Sequence, residues 1–198
     1  MLPAAMVRAM TIPVHVLIVA GGKGLRLGGD RPKQYALAGR APLLRHAVLA
    51  FLNHPRITSC QVVHGPGQEA ACISALVGLE GLRPFAAGGA ERQDSVRNGL
   101  EALAAIAQSD DIVLVHDAAR PFPPSNLVDR AIGAIEAGAI AAIPVLSVID
   151  SLKRLDAEGM VLHSVERAGL GRVQTPQAFR FGPLLAAHRA FAGANLGD

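Results

Sequence analysis

The sequence has little of what marks secreted, metal-binding or nucleic-acid-binding proteins. It contains two cysteines and no tryptophan in 198 residues, and aromatic residues make up 4%. Proteins of oxidising compartments usually carry more cysteine, and Cys60 and Cys72 lack the spacing of metal ligands, so we expect both to be buried as small hydrophobic side chains. Runs of lysine and arginine are missing, as are basic stripes interleaved with aromatic residues. Nucleic-acid binding is therefore not expected.

Long apolar runs are also missing, although 51% of the residues are hydrophobic and only 18% are charged. That balance predicts a folded chain rather than disorder, and the length suits a single domain over residues 1–198. The apolar stretch after the tail formed by residues 1–11 is too short to span a membrane and is unlike a signal peptide. The sequence therefore predicts a cytoplasmic protein that does not enter a membrane, and its net charge of +3 suits an anionic small substrate.

A glycine-rich loop at residues 21–24 follows the apolar run 14–19, which is typical of a buried strand. Glycines at the end of a strand let the backbone turn and bring its N–H groups close to phosphates. The loop lacks the Gly-Lys-Ser/Thr of a P-loop, and Leu27 stands where the dinucleotide fingerprint needs its third glycine, which argues against a nicotinamide-binding oxidoreductase. Arg26 and Lys33 follow as two cations suited to a phosphate; the alternative is that both are solvated surface charges.

Apolar runs typical of strands alternate along the chain with amphipathic stretches typical of helices. Strands are predicted at residues 14–19, 59–64, 111–116 and 139–145, and helices at 43–54, 68–77, 125–138 and 182–192, with a further helix that ends near residue 107. The apolar stripes lie at Leu44, Ala47, Val48 and Phe51 in the first helix, and at Leu127, Ile132 and Ile135 in the helix 125–138. This alternation predicts the α/β class, with a Rossmann-like, mostly parallel sheet covered by helices on both faces. Ligands of such sheets bind at the carboxyl ends of the strands, which is where the glycine loop lies.

The segment 88–96, Gly-Gly-Ala-Glu-Arg-Gln-Asp-Ser-Val, has two interpretations. In the first, Asp94 or Ser95 caps the helix that follows. In the second, the Gly-Gly turn lets a base or a ribose approach the backbone, with Arg92 and Ser95 beside it. The local sequence does not decide between them.

Asp117 stands at the end of the apolar strand 111–116. A carboxylate in such a place is unfavourable unless it is paired or binds a cation, and Mg²⁺ held by one carboxylate and substrate phosphates would suit it. The alternative is a structural ion pair between Asp117 and Arg120. His116 is expected to be a packed or hydrogen-bonded histidine without a chemical role.

Several motifs occur together and in order: G-x-G-x-R followed by P-K-Q, then G-G-x-E-R-x-x-S-V, V-H-D-A-A-R-P, R-x-G-L and Q-T-P-Q-x-F. This combination resembles the 2-C-methyl-D-erythritol 4-phosphate cytidylyltransferase family. The resemblance implies a nucleotidyltransferase-type α/β fold and transfer of a cytidylyl group from CTP to methylerythritol phosphate, with Mg²⁺ and without a covalent intermediate. Two alternatives stay open: a cytidylyltransferase for another polyol phosphate, such as ribitol 5-phosphate, and a non-catalytic module that binds CTP.

The resemblance also implies roles for individual residues. The catalytic cations are Arg26, Lys33 and Arg167. The CTP side is lined by Ala20, Gly21, Gly22, Gly24, Gly89, Ala90, Arg92, Ser95 and Ala118. The acceptor is contacted by Asp117, Arg120, Ser151, Arg167 and Thr175, and Asp117 also holds the metal.

A hairpin pattern over about 147–170 interrupts the alternation, with strands at 150–155 and 160–165 and a turn between them. The resemblance implies that this hairpin is an arm that embraces a second subunit, so that a homodimer forms and the partner's arm supplies Ser151 and Arg167. The family has threonine where Ser151 stands. The chain stops at Asp198, before the family's final lysine-bearing strand. Some members carry a fused cyclodiphosphate synthase domain after this point, so the sequence leaves open whether a second catalytic domain follows in a longer protein.

Overall fold

The computed structural model describes residues 11–22 and 32–192. In these ranges the strands are β1 Val14–Ala20, β2 Leu37–Ala38, β3 Ala41–Pro42, β4 Ser59–His64, β5 Ala86–Ala87, β6 Ile112–Asp117, β7 Ala141–Ala142, β8 Val145–Ser147, β9 Leu152–Leu155, β10 Val161–Val165, β11 Gly171–Val173 and β12 Gln177–Arg180. The helices are α1 Leu43–Leu52, α2 Glu69–Leu76, α3 Arg92–Leu103, α4 Ser125–Glu136 and α5 Phe181–Ala190, with one 3₁₀ turn at Lys33–Tyr35.

The central sheet has the strand order β5-β4-β1-β6-β12-β7. β1 pairs in parallel with β4 and β6, and β5 pairs in parallel with β4, whereas β12 runs antiparallel to both β6 and β7. The register places Ala20 opposite His64 and Val19 opposite Asp117, so the carboxyl ends of β4, β1 and β6 meet at one edge. The predicted mostly parallel α/β sheet is confirmed.

Helices cover both faces of this sheet because its buried strands present apolar side chains alternately to each side. Val16 and Ile18 of β1 pack in a cluster with side chains of α1, α2 and α4, and Leu17 packs in a second cluster with α3 and α5. Helix α3 lies close on the sheet, since a Cβ added at Gly99 would stand 2.3 Å from a methyl carbon of Leu17. The predicted stripe of α1 is confirmed, as its buried residues are Leu44, Ala47, Val48 and Phe51.

Some predicted boundaries were wrong. Helix α3 ends at Leu103 rather than near residue 107, and the predicted strand 139–145 is divided between β7 and β8. In α4 the inward face contains Val128 and Ala131 besides Ile132 and Ile135, while Leu127 is only partly buried. Strand β12 was missed altogether, because Gln-Ala-Phe-Arg is short and carries no clear alternation of apolar residues.

A β-hairpin is present where the sequence predicts one. Strands β9 and β10 pair antiparallel, and β8 and β11 pair antiparallel below them. The turn is closed by Asp156, whose Oδ1 accepts hydrogen bonds from the backbone N–H groups of Glu158 and Met160 at 3.1 and 2.7 Å. We call the segment from Val145 to Val173 the arm.

Both cysteines are free and fully buried, as predicted. Burial raises the pKa of each thiol to about 12. Among residues 11–22 and 32–192, no helix combines the length and the apolar character needed to cross a membrane.

Candidate nucleotide and acceptor site

A cavity of about 480 Å³ opens at the carboxyl ends of β1 and β6. In the described part of the chain, four segments form it: the end of β1 with the glycines after it, Gln34, the turn that leads into α3, and the end of β6 with the residues after it. Its lining consists of Val19, Gly21, Gly22, Gln34, Gly89, Ala90, Glu91, Arg92, Ser95, Asp117, Ala118 and Ala119. Much of this wall is backbone or small side chains, which leaves room for a ligand to approach the peptide groups.

Ser95 joins the turn before α3 to the helix. Its Oγ accepts a hydrogen bond from the backbone N–H of Gly89 at 3.1 Å and donates one to the carbonyl oxygen of Glu91 at 3.2 Å. The helix begins at Arg92 with Glu91 as its N-cap residue, and no side chain caps it. The prediction that Asp94 or Ser95 caps α3 was therefore wrong, because both lie inside the first turn.

Gly22, which lines the cavity, and Gly88, which directly precedes the lining residue Gly89, tolerate a side chain very differently. A Cβ at Gly88 would lie 2.6 Å from Ser95 Oγ and 2.8 Å from the carbonyl oxygen of His64, so Gly88→Ala forces the backbone to move. A Cβ at Gly22 would meet no atom of residues 11–22 and 32–192 within 4 Å. We expect Gly88→Ala to lower the free energy of unfolding by about 1–3 kcal/mol. Gly22→Ala should keep the wild-type free energy of unfolding, as measured by denaturant titration. It should weaken CTP binding, as measured by calorimetry. Equal stability of the two variants would contradict this.

Gln34 fixes the start of the glycine loop. It is buried, and its Nε2 lies 2.8 Å from the carbonyl oxygen of Ala20, 3.0 Å from that of Gly22 and 2.9 Å from Oε1 of Gln68. An amide nitrogen carries two hydrogens, so the Gln34 amide can donate to the carbonyl oxygens of Ala20 and Gly22 and hold the backbone on both sides of Gly21. The P-K-Q motif contained this residue, but no local pattern assigned it a role.

Asp117 lies between two arginines. Its Oδ1 is 3.3 Å from Nη2 of Arg92, and its Oδ2 is 3.2 Å from Nε of Arg120. Nη1 of Arg120 donates in turn to Oε1 of Gln174 at 2.5 Å. The ion pair that the sequence offered as the alternative to a metal site is thus present, with Arg92 as a second partner. The Asp117 side chain is 34% exposed and lines the cavity, so its oxygens can be reached by a ligand.

His116 is buried directly before Asp117 and lies edge-on to Phe51, with ring centroids 4.8 Å apart. Its Nε2 lies 2.9 Å from the carbonyl oxygen of Arg120, and its Nδ1 lies 3.0 Å from Oγ1 of Thr175. Burial lowers the pKa of this imidazole to about 4, so the ring is neutral at neutral pH. The expectation of a packed, hydrogen-bonded histidine is confirmed.

A sequence model of the family "2-C-methyl-D-erythritol 4-phosphate cytidylyltransferase" matches residues 14–198. The chain belongs to this family.

Relatives and solved structures agree with this membership in the cytidylyltransferase family. The chain is 49% identical over 185 residues to a bifunctional IspD/IspF enzyme of Rhodospirillum rubrum, covering 93% of the chain and 47% of that protein. It is 51% identical over 178 residues to a bifunctional IspD/IspF enzyme of Rhizorhabdus wittichii, covering 90% of the chain and 44% of that protein. The chain therefore spans about half the length of these curated relatives.

Among solved structures, a 4-diphosphocytidyl-2C-methyl-D-erythritol synthase superimposes with a TM-score of 0.79 at 33% identity, covering 92% of this chain and 81% of that one. The cytidylyltransferase of Thermus thermophilus superimposes with a TM-score of 0.72 at 34% identity, covering 94% of this chain and 80% of that one.

The cavity brings together most of the residues that the family resemblance assigned to CTP. Those that line it are Gly21, Gly22, Gly89, Ala90, Arg92, Ser95 and Ala118, together with Asp117. Ala20 is buried behind the wall and contributes its carbonyl oxygen to Gln34. Gly24 and Arg26 lie outside the described residues. Val19, Gln34, Glu91 and Ala119 line the cavity without having been predicted, and each of these four directly adjoins a predicted residue.

The cations and acceptor residues are distributed differently. Lys33 is exposed at the start of the 3₁₀ turn, next to Gln34, and does not belong to the described lining of the cavity. Arg120 and Thr175 line a neighbouring groove of about 790 Å³ between α4, the segment 120–124 and the edge strands. Ser151 and Arg167 are exposed on the arm and line neither space in the described part of this chain. Arg167 donates through Nη1 to the carbonyl oxygen of Ile149.

Proposed function

We propose that the chain is an Mg²⁺-dependent cytidylyltransferase that transfers the cytidylyl group of CTP to 2-C-methyl-D-erythritol 4-phosphate. The products are 4-diphosphocytidyl-2-C-methyl-D-erythritol and pyrophosphate. One observation carries the proposal: the cavity at the carboxyl ends of β1 and β6 unites two glycine segments with Asp117 and Arg92, in a chain that belongs to this family.

The glycine segments would hold the nucleotide through their backbone. The wall at Gly21, Gly22, Gly89 and Ala90 offers peptide groups that no large side chain shields. N–H groups at strand ends and helix starts favour the negative charge of phosphates. The Ser95 hydrogen bonds keep the Gly89 turn in shape, and Gln34 does the same for the backbone around Gly21.

The chemistry would be one in-line displacement. An oxygen of the acceptor phosphate forms a bond to the α-phosphorus of CTP while the bond from that phosphorus to the bridging oxygen of the β-phosphate breaks, and pyrophosphate leaves. Such a step depends on positioning and on stabilising charge more than on acid or base groups. Arg26, Lys33 and Arg167 are the cations that we assign to this charge.

Asp117 is the residue that we assign to Mg²⁺. In the described part of the chain, no group of three or more histidine, cysteine, aspartate or glutamate side chains could hold a metal by itself. A single reachable carboxylate fits Mg²⁺, which is often bound by one or two carboxylates plus substrate phosphates. A bound Mg²⁺ would neutralise phosphate charge. The contacts with Arg92 and Arg120 hold the Asp117 side chain in position.

Asp117→Asn separates the metal role from the ion-pair role. The two ion pairs are about one-third exposed, so their loss should lower the free energy of unfolding by about 1 kcal/mol or less. Loss of a metal ligand should instead raise the Mg²⁺ concentration for half-maximal activity by about tenfold or more. A Mg²⁺ titration that matches the wild type, together with a clear loss of stability, would favour the structural ion pair.

The acceptor would lie between Asp117 and the groove, contacted by Arg120 and Thr175 from this chain and by Ser151 and Arg167 from a partner's arm. In the described part of their own chain, the last two residues line neither the cavity nor the groove, which supports a contribution across a dimer.

A homodimer would also cover the apolar surface of the arm. Its exposed apolar side chains are Val145, Leu146, Ile149, Leu155, Met160, Val161, Leu162, Leu170 and Val173. So many exposed apolar side chains in one short segment are typical of an interface between proteins. The two free cysteines suit the reducing cytoplasm, where we place the reaction.

The function is tested by Mg²⁺-dependent pyrophosphate release, with CTP, UTP and ATP each offered against methylerythritol phosphate and ribitol 5-phosphate. Release with CTP and methylerythritol phosphate alone is the expected result. Release with ribitol 5-phosphate instead would reassign the acceptor. CTP binding without release from any pair would contradict the enzymatic function and favour a binding module.

A further inference from the structure

One buried ring connects three separate segments at the proposed acceptor site. His116 is fully buried in β6, and its two nitrogens contact the carbonyl oxygen of Arg120 and the hydroxyl of Thr175. The same hydroxyl oxygen lies 3.3 Å from the backbone N–H of Asp117. The end of β6, the segment that reaches Arg120 and the segment before β12 are thus held together at one point.

These contacts fix the tautomer of the ring. A carbonyl oxygen only accepts, so Nε2 of His116 carries the hydrogen and donates it to Arg120. A neutral imidazole has one N–H, so Nδ1 carries a lone pair and accepts the hydroxyl hydrogen of Thr175.

The fixed tautomer determines what Thr175 can offer to a substrate. Its only hydroxyl hydrogen points to His116, and one lone pair receives the N–H of Asp117. One lone pair of Oγ1 remains. Thr175 can therefore accept a hydrogen bond from a hydroxyl group of the acceptor but cannot donate one to a phosphate oxygen.

We propose that His116 is a positioning residue that makes Thr175 a hydrogen-bond acceptor for a hydroxyl group of the polyol phosphate and anchors the backbone of Arg120 beside it. This inference rests on the proposed function and deepens it, because it assigns Thr175 to the polyol part of the acceptor rather than to its phosphate.

The test compares two variants with a matched control. His116→Phe keeps an aromatic ring against Phe51 but removes both hydrogen bonds, whereas His116→Asn keeps an accepting oxygen near the position of Nδ1. His15 provides the control, since it is also a buried sheet histidine with two partners, Ser59 Oγ at 2.8 Å and Asp111 Oδ2 at 3.0 Å. It lies near the opposite end of β1, roughly 13 Å from the lining residue Val19 at about 3.3 Å per residue.

We expect His116→Phe to raise KM for methylerythritol phosphate about tenfold or more while KM for CTP stays within about twofold. His116→Asn should bring the KM for methylerythritol phosphate most of the way back to the wild-type value. His15→Phe should lower the melting temperature without changing either KM. The inference would be overturned if KM for methylerythritol phosphate were unchanged in both folded His116 variants, or if KM for CTP rose as much as KM for methylerythritol phosphate. It would also be overturned if His15→Phe raised only KM for methylerythritol phosphate.

A second measurement is independent of turnover. In the ¹⁵N spectrum of the wild-type chain, the His116 ring should be the Nε2–H tautomer, and Thr175→Val should shift the Nδ1 resonance. An Nδ1–H tautomer overturns the inference. An inactive wild type with the Nε2–H tautomer would count against the proposed function while leaving the arrangement around His116 supported.

Discussion

Replacing Lys33 with alanine is expected to lower kcat by roughly 10²–10³, or about 3–4 kcal/mol, as for loss of a well-placed group that stabilises transition-state charge. Lys33 is exposed, so its loss should change the free energy of unfolding by no more than about 0.5 kcal/mol. It stands next to Gln34, which lines the cavity and holds the carbonyl oxygens of Ala20 and Gly22. The Lys33 side chain is therefore attached to backbone whose position beside the glycine loop is fixed, where the phosphates of CTP are proposed to bind.

The measurement is steady-state pyrophosphate release at saturating CTP and acceptor. Arg40→Ala is a suitable control, because Arg40 is an exposed cation of the same region that lines neither cavity in the described chain. Its kcat should match the wild type. If folded Lys33→Ala turns over at the wild-type rate, Lys33 is one of the solvated charges that the sequence left as the alternative.

Mixing two inactive variants should restore activity if Arg167 acts across a dimer. In a mixed dimer of Lys33→Ala and Arg167→Ala subunits, one site combines the intact Lys33 of one subunit with the intact Arg167 of the other. The second site lacks both. A mixed dimer isolated through two different affinity tags should then have about half of the wild-type activity per dimer, far above either parent.

The same experiment has two contradicting outcomes. If Arg167 serves its own subunit, every site of the mixed dimer lacks one cation and the activity stays at the level of the parents. If no protein carrying both tags can be purified, the arm does not form a dimer. We expect the mixed dimer to regain activity, because Arg167 is exposed on the arm and lines neither the cavity nor the groove in the described part of its own chain.

The sequence predicted the elements whose signals are local. The apolar run 14–19 and the helix stripe at Leu44, Ala47, Val48 and Phe51 follow from the periods of strands and helices, and the structure confirms both. Most residues of the cavity wall were also named from the sequence. The local pattern pointed to the glycine loop and to Asp117, whereas Gly89, Ala90 and Ala118 were named through the family resemblance. The roles of the individual site residues remain predictions.

Other features depend on pairing between distant segments, which a local pattern does not specify. Strand β12 runs antiparallel between β6 and β7 only because the chain returns to the sheet after the arm. Its pairing partner β6 comes before α4 and the whole arm in the sequence, so no local window contains both strands.

The hydrogen bonds that orient the proposed site also join residues that are distant in the sequence. Thr175 stands 59 positions after His116, and the sequence between them contains no signal for their hydrogen bond; Gln34 stands 14 positions after Ala20, whose carbonyl oxygen it contacts. The sequence by itself thus determined the parallel strands β1, β4 and β6, the helices between the strands, the glycine loop and the family's motifs. Only the tertiary structure decided which donors and acceptors meet, because hydrogen bonds between buried side chains depend on where the packed elements place them.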